Sequence, residues 1–321
     1  MAAASVVPSS TRHCYDFWDR TFRRAGVFDY TEGYYNGDPT LDYERAQQAQ
    51  LDYLLDAVDC QAGSRLLDIG CGNGRLLDSI ARRGARGTGI TISPEQVACC
   101  TQRGLDVRLL DYRDIPASWN DQFDAVVANG PIEHFVQPED VAADRADAIY
   151  HAFFATCHRL IDPQSPSRRL INTTIHFDRV DVDPSAMRRS PWSFRWFSDE
   201  FHCAMLVRGF GGFYPRLGQF ERCARPYFQL LAERDATYDY YLTSEEWLRH
   251  GKRSFLSPRM WARLFPLVVR RPRYTANMLF LLLASQTWNW QFRTAAPPMK
   301  HLWQTWEYQP MNESSGAQCA A

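Results

Sequence analysis

The sequence predicts an α/β protein in which a mostly parallel sheet is covered by helices on both faces. Apolar, strand-like runs alternate with helical patterns from residue 65 onward, and a glycine-rich turn follows the first of these runs. The chain has 321 residues and 45% hydrophobic content, which is enough for one large core or two small ones. Ligands of such sheets bind at the carboxyl ends of the strands, so the loops that follow the strands form the expected site.

The first strand and its turn, residues 65–77 (RLLDIGCGNGRLL), carry the clearest ligand signal. A short apolar run with one acid leads into Gly70, Gly72 and Gly74, and an amphipathic run follows. Glycine lets a ligand approach the main chain, and the start of the next helix offers free N–H groups at the positive end of its dipole. Arg75 stands where a dinucleotide fingerprint has its third glycine, so the turn predicts a nucleotide-like ligand of another kind.

The other elements follow in order along the chain. A helix is predicted to open at Asp38-Pro39, and its buried face is predicted to carry leucines and a valine between residues 51 and 58. Further strands are predicted at 87–93, 106–111, 123–130 and 169–177, with one long helix inside 138–160.

The last third of the sequence is harder to interpret. The aromatic and arginine-rich segment 178–207 is predicted to be an inserted cap over the substrate or a surface excursion with its own small core. A strand then leads into a helix with Ser244 as its predicted N-cap. The last eighty residues are expected to form helices over one side of the crevice.

Composition excludes several classes of protein. The net charge of −1 argues against a nucleic-acid partner, and no apolar run is long enough to span a bilayer. Nine cysteines without framework spacing indicate reduced thiols, and neither cysteines nor histidines have metal-ligand spacing. The uncharged first ten residues do not have the pattern of a signal peptide. We therefore expect a cytoplasmic protein without a metal.

Several motifs together resemble the cyclopropane-fatty-acid synthase and mycolic-acid methyltransferase family. The carrying segments lie in the family's order over roughly residues 28–261 and include YTEGYY, LLDIGCGNG, GITISPEQ, DYRD, FDAVVANGPIEHF, FGGFYP and TYDYYLTSEEW. The resemblance implies a Rossmann-like class I methyltransferase with a mostly parallel seven-stranded sheet and an inserted cap. It also implies S-adenosylmethionine (SAM) as the cofactor.

The resemblance implies roles for particular residues. Tyr30 and Thr31 are expected to close over the methionine part of SAM. From the residues alone, Tyr30, Tyr34 and Tyr35 are interpreted as an N-terminal lid over a cofactor or as a surface segment packed by its rings. The remaining residues that the resemblance places around the glycine turn, ribose and adenine are Asp68, Gly70, Gly72, Thr91, Ile92, Gln96, Asp111, Tyr112 and Arg113.

The expected catalytic residues are Glu32, Glu133 and Tyr240. In the family, a bicarbonate ion held by a cysteine backbone, a glutamate, a histidine and a tyrosine is thought to take the proton from a carbocation. Here Glu32 falls at the cysteine position and Thr173 at the histidine position, so binding of bicarbonate is left open. We hypothesise that Glu32 replaces the ion; the alternative is that Glu32 is a solvated loop acid. His134 is interpreted as a catalytic neighbour or as a residue that only holds its loop, and strand alternation turns His176 away from Ile175.

These expectations define the domain organisation and three hypotheses about function. Residues 1–12 are expected to be disordered, 13–60 to form a lid and helix, and 61–321 to form the SAM-dependent domain, with its cap at about 178–208 and a divergent helical part from about 262. The leading hypothesis is methyl or methylene transfer to carbon of an unsaturated acyl chain or similar apolar substrate. The alternatives are N- or C-methylation of a small amine or natural-product scaffold, and SAM binding without catalysis. Peripheral membrane contact and oligomeric state are left open.

Overall fold

The computed structural model describes residues 11, 14, 15, 17, 18, 30–293 and 295–311. Within this part of the chain, seven strands form one sheet: β1 Arg65–Ile69, β2 Arg86–Thr91, β3 Asp106–Leu109, β4 Ala125–Asn129, β5 Arg169–Phe177, β6 Phe228–Asp235 and β7 Met299–Tyr308. The strand order is β3-β2-β1-β4-β5-β7-β6, and β7 alone runs antiparallel to its two neighbours. The predicted mostly parallel, seven-stranded Rossmann-like sheet is confirmed.

Helices cover both faces of this sheet. In chain order they are α1 Tyr43–Ala57, α2 Arg75–Arg82, α3 Pro94–Gln102, α4 Pro138–Ala142, α5 Ala146–Leu160, α6 Asp199–Phe210, α7 Gln219–Ala224, α8 Thr237–Ser254, α9 Pro258–Arg270, α10 Pro272–Leu283 and α11 Ser285–Asn289. One apolar cluster contains Leu54 of α1 and Ile80 of α2, and another contains Phe153 of α5 and Phe220 of α7. Because both faces are covered, the central strands are continuous apolar runs rather than alternating ones.

Three predicted boundaries are wrong for local reasons. The first helix begins at Tyr43 and not at Asp38-Pro39, because the side chain of Asp42 caps it by accepting hydrogen bonds from two amides of the first turn. The single helix predicted inside 138–160 is divided into α4 and α5 near Asp144, which has a left-handed φ of 57°. Ser244 lies inside α8, where its Oγ donates to Tyr240 O at 2.6 Å, so it is not an N-cap.

The C-terminal part also differs from the expected all-helical arrangement. After α8–α11 the chain returns to the sheet as β7, which inserts between β5 and β6. The cap segment contains two short 3₁₀ turns, Pro184–Arg188 and Pro191–Ser193, and then α6. α6 packs against α10, where Tyr274 Oη donates to Gly209 O at 3.0 Å and Asn277 Nδ2 donates to Met205 O at 3.2 Å.

Two expectations concern the disordered start of the chain and membrane-spanning segments. The disordered start falls almost entirely outside the described residues, as does the stretch 19–29 of the expected lid. Among the described helices, none combines the length and the hydrophobicity that crossing a bilayer requires.

Candidate active site

A cavity of about 590 Å³ lies where the glycine turn and the loops after β2, β3 and β4 meet. Its volume is within the range of small-molecule sites. Every residue that the sequence assigns to the cofactor lines it: Tyr30, Thr31, Asp68, Gly70, Gly72, Thr91, Ile92, Gln96, Asp111, Tyr112 and Arg113. The structure therefore brings together side chains that are spread over more than eighty positions of the sequence.

Gly70 and Gly72 are needed in the turn for different reasons. Gly70 has φ of 79°, and a Cβ there would stand 2.7 Å from the Cβ of Pro131, so glycine is needed for packing as well as for the backbone. Gly72 has φ of 53°, and no described atom lies within 4 Å of a Cβ built on it. The backbone at Gly72 is thus the part of the turn that a ligand can approach most closely.

The polar residues at or after the ends of β2 and β3 form hydrogen bonds with one another. Thr91 Oγ1 donates to Gln96 Oε1 at 2.6 Å, and both residues are buried. Asp111 accepts from Arg113 through two hydrogen bonds, of 2.9 Å from Nε and 2.7 Å from Nη2. A bidentate pair of this kind restricts both side chains. The surface that faces a ligand is therefore largely built before the ligand binds.

The N-terminal segment is tied to the same cavity through the backbone of Thr31. Its carbonyl accepts from Tyr43 Oη at 3.0 Å and from Gln47 Nε2 at 2.9 Å, and Gln47 in turn accepts from Arg75 Nη1 at 2.8 Å. The expected lid role of Tyr34 and Tyr35 is wrong, because neither lines the cavity: the Tyr34 ring lies 4.4 Å from the Arg234 guanidinium, and Tyr35 is buried.

Asp68 is the penultimate residue of the first strand and is buried next to the turn. Burial, with Cys100 nearby, raises the pKa of Asp68 to about 7. At neutral pH this carboxyl group is therefore divided between its neutral and ionised forms.

A smaller cavity of about 120 Å³ adjoins the larger one, with Tyr15, Tyr30 and His134 lining both. The three residues predicted to be catalytic, Glu32, Glu133 and Tyr240, all line this smaller cavity. Aromatic side chains supply much of the rest of its wall, among them Trp18, Phe210, Tyr214, Trp247 and Trp288. The site thus combines two acids with an otherwise largely aromatic enclosure.

Glu32 is buried at 5% exposure and surrounded by donors. Trp303 Nε1 donates to its Oε2 at 3.1 Å, and the Thr173 hydroxyl, which is shared with Asn129 Oδ1 at 2.8 Å, lies 3.2 Å from its Oε1. His301 Nε2 lies 3.1 Å from the same Oε1 but does not have hydrogen-bond geometry. An ionised carboxylate only accepts hydrogen bonds, so this set of neighbours suits it. The alternative of a solvated loop acid is excluded by the burial.

Glu133 is the second acid, and its surroundings differ. Its Oε1 accepts from the backbone N–H of Ile175 at 2.9 Å. Burial raises the pKa of Glu133 to about 8, the charge of Glu32 adds to the rise, and the Ile175 hydrogen bond opposes it. Glu133 is therefore mostly protonated at neutral pH.

Tyr240 and the histidines of this region have different environments. The Tyr240 ring stacks on His301 with centroids 4.3 Å apart, and burial raises the pKa of Tyr240 well above its ordinary range. His134 Nε2 lies 3.0 Å from Tyr15 Oη, and burial lowers its pKa to about 4, so the ring is neutral. His176 packs against Phe220 on the other face of the sheet from Ile175, as strand alternation predicts.

Sequence reasoning missed the residues that position the two acids. His301 and Trp303 come from β7, which was expected to be helical. The residue types with high strand propensity in residues 299–308 (MKHLWQTWEY), two tryptophans, a threonine and a tyrosine, are the signal for a strand there. Gly212 of the FGGFYP segment was interpreted only as part of a turn. It has φ of 83°, and a Cβ added to it would overlap the carbonyl oxygen of Glu133. Its backbone therefore supports the loop that carries Glu133.

Comparison with known proteins extends this description. A family model described as mycolic acid cyclopropane synthetase matches residues 7–250. The cyclopropane-fatty-acyl-phospholipid synthase of Escherichia coli strain K12 is 39% identical over 126 residues, which is 38% of this chain and 29% of that protein. The ubiquinone biosynthesis O-methyltransferase of Xanthomonas oryzae pv. oryzae PXO99A is 36% identical over 120 residues, 36% of this chain and 45% of that protein. This chain thus spans less than half the length of these relatives.

Solved structures resemble the chain over nearly its whole length. The cyclopropane synthase MmaA2 from Mycobacterium tuberculosis superposes with a TM-score of 0.69 at 18% identity, covering 95% of this chain and 100% of that one. The mycolic acid cyclopropane synthase CmaA1, in complex with S-adenosylhomocysteine (SAH) and CTAB, gives a TM-score of 0.68 at 20% identity, covering 95% and 99%. At these identities the likeness concerns the fold.

Proposed function

This chain belongs to the mycolic acid cyclopropane synthetase family of SAM-dependent methyltransferases, and from that premise we propose that it transfers a one-carbon group to carbon of an unsaturated acyl chain or similar apolar substrate. One observation carries the proposal: a small aromatic cavity with two buried acids adjoins the cavity lined by the cofactor residues. An apolar substrate favours such walls, and a positive charge that develops inside them faces ring surfaces and a carboxylate.

The larger cavity fits SAM in size and in chemistry. The exposed backbone at Gly72 and the loop at Thr31 suit the amino-acid part, and the polar groups from Thr91 to Gln96 and from Asp111 to Arg113 suit the ribose and adenine. When bound, SAM supplies a methyl group activated by a positively charged sulfur. We further propose that the N-terminal segment closes this cavity, because Tyr15, Tyr30 and Thr31 form part of its wall.

An alkene that gains a methyl group becomes a carbocation, and the protein must stabilise that charge and accept one proton. Tyr30, Tyr240 and Trp247 line the smaller cavity, and aromatic rings can stabilise a nearby cation. Loss of a proton from the new methyl group closes a cyclopropane, whereas loss from a neighbouring carbon leaves a methyl-branched alkene. In either case the C–H bonding pair stays with the substrate, and the proton passes to a base in the protein.

Glu32 is the base that the surroundings favour. Its carboxylate is held by Thr173, Trp303 and His301, whereas Glu133 is mostly protonated at neutral pH and has little capacity to accept a proton. Two acids in different environments can have different roles, and here only Glu32 is proposed to accept the proton. A bicarbonate ion would meet Glu32 in the same cavity, and like charges repel there, so we propose that the Glu32 carboxylate takes its place.

The test uses purified protein, labelled SAM and vesicles of an oleoyl phospholipid, with the product located by NMR. We expect a new cyclopropane or methyl branch on the acyl chain, independent of added bicarbonate. Glu32→Gln should lower turnover by about 10²- to 10⁴-fold and leave SAH binding unchanged in calorimetry. The control is Glu44→Gln, the same change at an exposed acid on α1. Full activity of Glu32→Gln, or a requirement for bicarbonate, would contradict the role of Glu32.

Methylation of a small amine is the second candidate. The small volume and the acid-bearing wall of the cavity also suit a protonated amine, which needs only a base before transfer. The same NMR experiment with an amine library distinguishes the two, because the new carbon then appears on nitrogen and the lipid remains unmodified.

A further inference from the structure

A basic surface with exposed apolar side chains lies at the C-terminal end of α8 and on α9 and α10, almost entirely beyond residue 250, where the match to the family model ends. Residues 247–283 contain eight lysines and arginines and no aspartate or glutamate, in a chain whose net charge is −1. We call this segment, with its exposed side chains, the basic helical surface. Its charge is therefore a local feature and not a property of the whole protein.

Large apolar side chains of this surface point into solvent. The exposed fractions are 85% for Leu256, 66% for Phe265 and 64% for Val269. Trp261 and Val268 are also exposed and lie on the same side of α9 as Phe265, because positions three, four, seven and eight apart share a helix face. Met260 and Leu264, on the other side of α9, are buried and attach the helix to the core. An apolar face of this kind marks an interaction surface.

Exposed lysines and arginines alternate along the segment with the exposed apolar residues. Arg249 pairs with Glu246. Among the described residues, no ion pair joins an acid to any of Lys252, Arg253, Arg263, Arg270, Arg271 and Arg273, all of which are exposed. Arginine and lysine side chains can lay their apolar stems on a hydrophobic surface while the charged group reaches a polar layer.

We propose that the basic helical surface binds the surface of an anionic phospholipid bilayer, with Phe265 and Val269 entering the boundary between headgroups and acyl chains. Exposed apolar residues together with arginines at one surface are the features that an anionic bilayer complements. A second copy of the chain is disfavoured as the partner, because a symmetric contact would bring two arginine-rich faces together.

The surface is also close to the candidate active site. Met260 and Leu264 belong to the same apolar cluster as Trp247 and Trp288, which line the smaller cavity. The buried side of α9 therefore belongs to the same apolar cluster as part of the wall of the smaller cavity. The connection to an acyl substrate rests on the proposed function, whereas binding to the bilayer does not depend on it.

Co-sedimentation of the full chain with vesicles tests the proposal without any methyl donor. Vesicles of phosphatidylcholine with phosphatidylglycerol should retain the protein, those of phosphatidylcholine alone should retain much less, and high salt should weaken the retention. Phe265→Ser combined with Val269→Ser should abolish most of it. Arg263→Gln combined with Arg270→Gln should lower the affinity by about 25-fold, about fivefold for each charge.

Matched controls change residues of the same type elsewhere. Leu231→Ser alters an exposed leucine of β6, and Arg86→Gln with Arg225→Gln removes two exposed charges far from α9 in the sequence. These variants should bind vesicles like the wild type. Equal loss in controls and test variants would overturn the proposal, as would a wild-type chain that ignores anionic vesicles. A dimer in sedimentation that Phe265→Ser dissociates would overturn it too, by assigning the surface to a second copy. Vesicle binding without lipid methylation would instead reject the proposed function and keep this inference.

Discussion

Replacing Glu133 by glutamine should change how the stability of the protein depends on pH. The pKa of Glu133 is raised from its ordinary 4.5 to about 8, chiefly by burial. The folded state therefore binds a proton that the unfolded state releases between these two values. The resulting stabilisation is complete below the unfolded pKa and is lost as pH rises toward about 8.

The magnitude follows from the width of this window. The pKa difference is 8 − 4.5 = 3.5, and at about 1.4 kcal/mol for each pH unit this amounts to about 5 kcal/mol. Relaxation of the native state around the ionised acid sets this value as an upper limit. Glutamine has nearly the same shape and can still accept the hydrogen bond from Ile175 N–H, so Glu133→Gln removes the titration with little other change.

The assay is urea unfolding of both proteins between pH 5 and pH 8.5 in steps, followed by tryptophan fluorescence. The wild type should lose stability relative to Glu133→Gln as pH rises, by up to about 4 kcal/mol between pH 5 and pH 8.5. Other titrating groups, such as Asp68, are present in both proteins and cancel in the difference. The exposed change Glu44→Gln should leave the pH dependence as it is. A constant difference between wild type and Glu133→Gln would refute the reasoning, because Glu133 would then titrate as an exposed acid does.

Two further predictions concern glycines. Gly212→Ala should destabilise the protein by about 2–4 kcal/mol and lower its activity, because the new methyl group overlaps the carbonyl of Glu133. Gly37→Ala is the control: Gly37 has a similar φ of 84° but lies in open space, so this change should cost about 1 kcal/mol. Equal losses of stability for the two variants in thermal unfolding would contradict the clash. Gly70→Ala should lower stability, because the new methyl group would press against Pro131, whereas Gly72→Ala should chiefly weaken SAH binding, by about tenfold. Calorimetry that shows unchanged SAH affinity for Gly72→Ala would place the cofactor elsewhere.

The residues that the sequence assigns to the cofactor all line the larger cavity, because that cavity is built from local motifs. A strand that ends in a glycine turn determines where its own loop stands, and parallel strands bring such loops to one edge. Asp68, Gly72, Thr91 and Asp111 could therefore be assigned to one cavity before any contact was known. The assignments failed where a side chain could turn either way, as at Tyr34, whose ring lies against Arg234 instead.

The surroundings of the acids could not be predicted in the same way. The neighbours of Glu32 are distant in sequence: Thr173 is 141 positions away and Trp303 is 271 positions away, and His301 lies beside them. These contacts depend on β7 entering the sheet beside β5, with Thr173 opposite Trp303 and Ile175 opposite His301. Strand pairing between distant segments is decided by which edges are left free and which faces must be buried, and no local pattern records it.

The sequence by itself determined the sheet, the glycine turn and most of the residues that line the larger cavity, because backbone geometry and alternation act over a few neighbouring positions. Only the tertiary structure decided the surroundings of the acids. Burial made Glu133 mostly neutral at pH 7, and the return of β7 surrounded Glu32 with a histidine and a tryptophan N–H. A carboxyl group's charge depends on the water removed from it and on the donors around it, and both are properties of the packed chain.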